Sequence, residues 1–159
     1  MPELYRLYVT APAGTADLAA QELESFGAAD AKADRGGVAW RGTLEQAYRA
    51  CLWSRVANRV LLALADFPAP TPEQLYDGVR SIDWSAHLTA DDTLAVDATA
   101  SRSAITHTQF AALKVKDAVV DQFRERTGRR PSVDVETPSL RINLHLNRDV
   151  ATVSVDLSG

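Results

Sequence analysis

The sequence predicts a mixed α/β (α+β) protein made of two fused units. Three observations predict it. Over residues 1–67 the apolar pattern switches between the period of strands and that of helices, in the order β-α-β-β-α-β. Pro68, Pro70 and Pro72 then punctuate the chain as a connector. Residues 68–159 follow as helix, strand, long helix and two strands.

Each element has a local cause. Leu4 to Thr10 mixes apolar, aromatic and β-branched residues and suits a strand, which Ala11-Pro12-Ala13-Gly14 breaks. Thr15 is placed to cap a helix whose apolar positions are Leu18, Ala19, Leu23 and Phe26, ending at Gly27. Ala31–Asp34 and Val38–Arg41 flank Gly36-Gly37, a hairpin signal. Thr43 and Gln46 form a capping box for a helix with Leu44, Ala47, Tyr48, Cys51, Leu52 and Val56 on its apolar side. Arg59 to Phe67 reads as a buried strand. This order is the ferredoxin-like topology.

In the second unit Thr71, Pro72 and Gln74 open a helix with Leu75, Tyr76 and Val79 inward, and Asp91-Asp92 makes a turn. Leu94, Val96 and Ala98 alternate with polar residues on the next strand. A long helix spans about Thr106 to Thr127 and is stopped by Gly128 and Pro131. Its apolar residues, Ala111, Ala112, Leu113, Val115, Ala118, Val119, Val120 and Phe123, cover most of its circumference, so it must pack on two sides. Leu140, Ile142, Leu144 and Leu146 define one face of the penultimate strand, and Asn147-Arg148-Asp149 turns into the last, Val150–Leu157.

Composition bounds the chemistry. The apolar run Val60–Ala65 is too short to span a bilayer, and the N-terminus lacks a secretory signal. The single Cys51 allows neither an intrachain disulfide nor a cysteine-based metal site, so a cytoplasmic setting is expected. His87, His107 and His145 lack metal-ligand spacing, and no metal is expected. Ala13-Gly14-Thr15-Ala16 has one glycine and no lysine, so it reads as a plain turn rather than a phosphate loop. No nucleophile elbow and no dinucleotide fingerprint is present. Hence no catalytic residue and no cofactor are expected in this chain.

Charge is the remaining signal. The net charge of −4 hides an asymmetry: residues 1–101 carry −6 and residues 102–148 carry +4. The basic set is Arg102, Lys114, Lys116, Arg124, Arg126, Arg129, Arg130 and Arg141. At 100° per residue Lys114 and Arg124 fall within about 80° of each other on a polar stripe. Lys116 instead lies between Phe123 and Val120, where it either snorkels or emerges at a groove to meet a phosphate. Phe110 and Phe123 read as packing residues, which would leave the basic surface without stacking platforms.

Leu52-Trp53-Ser54-Arg55, Gly78 to Trp84, Lys114 to Asp121 and Ser154 to Gly159 resemble the N-terminal region of the RlmL-type bacterial 23S rRNA guanine-N2 methyltransferases. The resemblance covers essentially the whole chain. It implies an N-terminal ferredoxin-like domain over 1–67 and a THUMP core over 68–159, whose boundary by sequence profile starts near 43. It further implies an RNA-binding module that positions 23S rRNA for an attached S-adenosylmethionine-dependent methyltransferase domain. The catalytic Asn-Pro-Pro-Tyr type motif of the family does not occur in this sequence, so no catalytic residue carries over. Two other readings stand beside this one: a THUMP module of a tRNA-modifying enzyme, favoured less by the Lys114–Asp121 segment, and a ferredoxin-like protein-interaction domain without RNA, favoured by the acidic net charge.

Overall fold

The structure is a computed structural model and describes residues 3–28, 30–34, 36–54, 59–101, 103, 105 and 107–158. It divides into two compact units, residues 1–63 with 156–159, and residues 64–155.

The first unit comprises β1 (Tyr5–Thr10), α1 (Ala16–Ser25), β2 (Lys32–Ala33), β3 (Gly37–Gly42), α2 (Leu44–Trp53) and the start of β4 (Arg59–Pro68). Its strands lie in the order β2-β3-β1-β4, all antiparallel, as the ferredoxin-like topology requires. Leu7 and Val9 of β1, Val38 and Trp40 of β3, and Val60 of β4 bury one sheet face against Ala19, Leu23, Ala47 and Ala50 of the two helices. The expected hairpin is present: Asp34 Oδ1 accepts from the backbone N–H groups of Gly36 and Gly37 and from the Tyr8 hydroxyl. The α2 capping box is complete, with Gln46 N donating to Thr43 Oγ1 at 3.2 Å and Thr43 N donating to Gln46 Oε1 at 3.3 Å. Thr15, by contrast, does not cap α1. Its hydroxyl donates to Pro12 O at 2.6 Å and closes the preceding turn instead. Leu18, Tyr48 and Leu52, expected on apolar sides, are exposed, while Cys51 is half-buried against the core; burial pushes its thiol pKa up. Val56 lies outside the described residues.

The second unit holds the rest of β4, α3 (Pro72–Arg80), a 3-10 turn (Trp84–Ala86), β5 (Thr93–Ser101), α4 (Thr108–Thr127), β6 (Ser132–Val133), β7 (Leu140–Asn147) and β8 (Val150–Asp156). Strand order is β8-β7-β5-β6. β7 and β8 form an antiparallel hairpin across Arg148 and Asp149, both at positive φ (51° and 62°), as a two-residue turn matching strand twist demands. β5 runs parallel to β7 over the whole length of β7, Leu94 opposite Leu140 through Ser101 opposite Asn147. The short strand β6 was not expected; it pairs parallel to β5 at Thr93–Ser132 and Leu94–Val133.

Helix α4 packs on α3 and on β5, the two sides that its apolar circumference called for. Gly78 is needed on α3 because a Cβ there would lie 2.2 Å from the Phe67 ring. At the other end Gly128, at φ 75°, stops α4 in the left-handed conformation. The expected burial of Leu113 fails. Leu113 is 54% exposed, whereas Val115, Ala118 and Val119 are fully buried. Periodicity marks an apolar arc, but among the described residues a partner exists for only part of it.

Candidate nucleic-acid interface

The polar residues of α4 divide into two groups. The first group ties α4 to the segment Tyr76–Trp84. The Tyr76 hydroxyl donates to Asp121, an interaction that raises the Tyr76 pKa because the deprotonated phenol would face a carboxylate. Gln122, buried among apolar neighbours, accepts from Trp84 N at 3.0 Å and donates to Arg80 O at 2.8 Å and Ile82 O at 2.6 Å. Arg80 pairs with Glu125, and Arg126 with Asp83 at 2.9 Å. Trp84 is fully buried and donates its indole N–H to Val79 O at 2.9 Å. One side chain, Gln122, thus satisfies three backbone groups of a turn that has no ladder to enter.

The second group faces away from α3. Lys116 and Arg130, separated by fourteen positions in sequence, line one cleft of about 230 Å³ together with Val120, Pro131, Ser132 and Val133. Lys116, expected either to snorkel or to emerge at a groove, is among the residues that line this cleft. The Lys116 ammonium lies 2.7 Å from its neighbour Asp117, and no ion pair of Arg130 occurs among the described residues. β6 makes the cleft by carrying Ser132 and Val133 alongside α4, and the short path from Gly128 delivers Arg130 to its rim.

The other expected cations are distributed as follows. Lys114 stands over the Phe110 ring, its ammonium 5.5 Å from the centroid. Arg124 is exposed on the last turns of α4. Arg126 and Arg129 are exposed and pair with Asp83 and Asp91. Such exposed pairs are worth about 0–1 kcal/mol, so a phosphate can replace either carboxylate at little cost. Arg141 differs. Its side chain is only 17% exposed, donates to Asp97 at 3.1 Å and to Val135 O at 3.3 Å, and links β7 to β5. Arg102 lies outside the described residues.

Sequence reasoning missed Ser132 and Phe110. Phe123 is buried as expected, but Phe110 is 46% exposed and does not pack. A run of apolar residues on a helix gives no sign of which one lacks a neighbour. The paired acids behave as turn residues: Asp92 accepts from Thr89 N at 2.7 Å. Thr99 Oγ1 and His145 Nδ1 lie 2.7 Å apart on the sheet face opposite Ile142 and Leu144. Among the described residues no group of three His, Cys, Asp or Glu side chains is placed to hold a metal ion, and no helix is long and apolar enough to cross a membrane.

Comparison with known proteins adds a family context. Residues 69–156 match the THUMP domain, and residues 6–61 match the RlmL ferredoxin-like domain. The chain is 54% identical over 154 residues to the ribosomal RNA large subunit methyltransferase K/L of Syntrophotalea carbinolica, covering 97% of this chain and 22% of that protein. Its identity to the protein of the same name from Methylococcus capsulatus is 55% over 159 residues, covering all of this chain and 22% of the relative. The chain thus spans about a fifth of the length of these curated relatives. Among solved structures, SMU.472 complexed with SAH superposes with a TM-score of 0.83 at 28% identity, covering 98% of this chain and 42% of that one.

Proposed function

This chain belongs to the THUMP-domain family, joined to a ferredoxin-like domain of the RlmL kind, and on that premise we propose that it is an RNA-binding module of a ribosomal RNA methyltransferase. In the finer form of the proposal, residues 1–67 and 68–159 are its ferredoxin-like and THUMP parts. The module grips 23S rRNA in the cytoplasm while an S-adenosylmethionine-dependent domain outside this chain methylates a guanine at N2. The names of the relatives support an rRNA substrate, and the bound SAH of one structural neighbour supports the donor. The turn after β1, among the described residues, does not fit that donor. The turn after β1 has Gly14 at φ 83° as its one glycine, and Thr15 is tied back to Pro12, so no row of free N–H groups forms there. In this reading the chain binds and orients the RNA.

The observation that carries this reading is the Lys116–Arg130 cleft. A cation from a helix and a guanidinium from the following turn converge over a hydroxyl-bearing strand, an arrangement suited to a phosphate oxygen group. Arg129 and Arg124 extend the cationic surface; Lys114, Arg126 and Arg141 belong to the same proposed set, with Arg102. Each phosphate neutralised contributes about −0.9 to the slope of log affinity against log salt on duplex and about −0.7 on single strands.

The test is binding of a 23S rRNA fragment by anisotropy across salt concentrations. Exchange of Arg129 and Arg130 for Glu is expected to weaken binding at least tenfold and flatten the salt slope by about 1–2, with unchanged melting. Arg130→Glu alone is expected to account for more of the loss than Arg129→Glu, since Arg129 begins engaged with Asp91. Wild-type affinity indifferent to salt, or no binding at all, would favour the protein-interaction alternative.

A further inference from the structure

Phe110 lies on the first turn of α4, 46% exposed, and Leu113, one turn further along the same stripe, is 54% exposed. Large apolar side chains exposed singly are ordinary. Here two adjoin, and a cation accompanies them. Lys114 holds its ammonium 5.5 Å from the Phe110 ring centroid, so the edge of the apolar spot is positively charged. The nearest acids on α4 are engaged elsewhere, Asp117 with Lys116 and Asp121 with the Tyr76 hydroxyl. Lys116, which opens the phosphate cleft, is about 9 Å along the helix axis from Phe110.

We infer that Phe110 is a stacking platform for an unpaired nucleotide, with Leu113 as its apolar floor and Lys114 releasing the ring to take the adjoining phosphate. This rests on the RNA reading above and narrows it: the substrate class becomes RNA with unpaired bases. A base held in a duplex has both faces covered by its neighbours, whereas a single-stranded base offers a π face to an aromatic ring whatever its identity. The charge at Lys114 fits a phosphodiester better than it fits an apolar protein groove. Lys116 is about 9 Å along the axis and about 120° around the helix from Phe110, so a run of nucleotides that engages both the ring and the cleft follows the helix surface between them.

The experiment compares anisotropy of a labelled single-stranded oligoribonucleotide and a blunt duplex of the same composition, using the 159-residue chain, wild type, Phe110→Ala, Phe110→Tyr and Arg130→Glu. Phe110→Ala is expected to weaken single-strand binding roughly five- to a hundredfold and duplex binding less than twofold. Phe110→Tyr is expected to retain wild-type affinity, and all variants to keep the wild-type melting curve. Single-strand affinity unmoved by Phe110→Ala but lowered by Arg130→Glu overturns the platform and leaves the RNA reading standing. Equal losses on both RNAs also overturn it, since stacking cannot act on a closed duplex. Absence of binding to either RNA by the wild-type chain overturns the RNA reading and this inference together.

Discussion

The two flanks of α4 carry similar residue types and use them in opposite ways. Toward α3 every polar group is spent inside the protein: Asp121 on Tyr76, Gln122 on three backbone groups, Glu125 on Arg80, Arg126 on Asp83. Toward β6 Lys116, Arg130 and Ser132 line a cleft, with the Lys116 ammonium 2.7 Å from Asp117. On the stripe between lie Phe110 and Leu113, apolar and exposed. The difference teaches that charge and polarity do not mark a site by themselves. A polar side chain becomes structural when the fold gives it complements on another element, as Gln122 has, and stays at the surface when its partner is a half-exposed neighbour, as Asp117 is to Lys116.

The largest expected break in this comparison is at Gln122. Gln122→Ala leaves the Trp84 N–H and the Arg80 and Ile82 carbonyls without their partner, and is expected to destabilise the protein by about 2–4 kcal/mol in denaturant titration. A loss under 1 kcal/mol would show that water replaces the amide and that the flank is not internal. Next is the pair Val120→Ala and Leu113→Ala. Val120 is 5% exposed and its truncation is expected to cost about 2 kcal/mol, while truncation of the exposed Leu113 stays within about 0.5 kcal/mol. Comparable midpoint shifts for the two would mean that the outer stripe is packed after all. The smallest effect is one of pH. His87, set edge-on to Trp84 at 6.1 Å, has its pKa lowered from 6.5, chiefly by burial, with Asp83 opposing. The unfolded chain therefore binds a proton more readily than the folded one, so stability is full above about pH 6.5 and falls as pH drops below it. His87→Gln is expected to reduce this slope between pH 5 and 7; an unchanged slope would assign it to other groups.

The parts of the fold written in local signals were legible. Gly36-Gly37, the Thr43–Gln46 box, the alternation of β7 and the Gly128 stop each depend on a few neighbouring residues. What failed depends on distant partners. β6 is two residues long and exists because β5 offers an edge, so no periodicity announces it. Gln122 sits in an apolar run and could have been suspected as a buried amide, yet its three acceptors and donors lie some forty positions upstream. In the candidate site the basic set was readable as charge, whereas the angle of Lys116 between Phe123 and Val120 left both a snorkelling stem and an ammonium at a groove open. That Arg141 is held by Asp97 required the parallel register of β5 and β7.

The division of the chain has a kinetic consequence. The first unit is closed by residues from beyond the second: Arg59 pairs with the buried Asp156 at 2.9 Å, Val60 N donates to Ser158 Oγ, and Leu157 N donates to Val60 O. These contacts have high sequence separation and are slow to form. During synthesis at roughly 5–20 residues per second, the ribosome adds residues 64–155 over on the order of ten seconds before the closing segment emerges. The first unit must wait through that interval with its last strand partners missing. Translation order thus puts the segment that closes the first unit last, after every residue of the second.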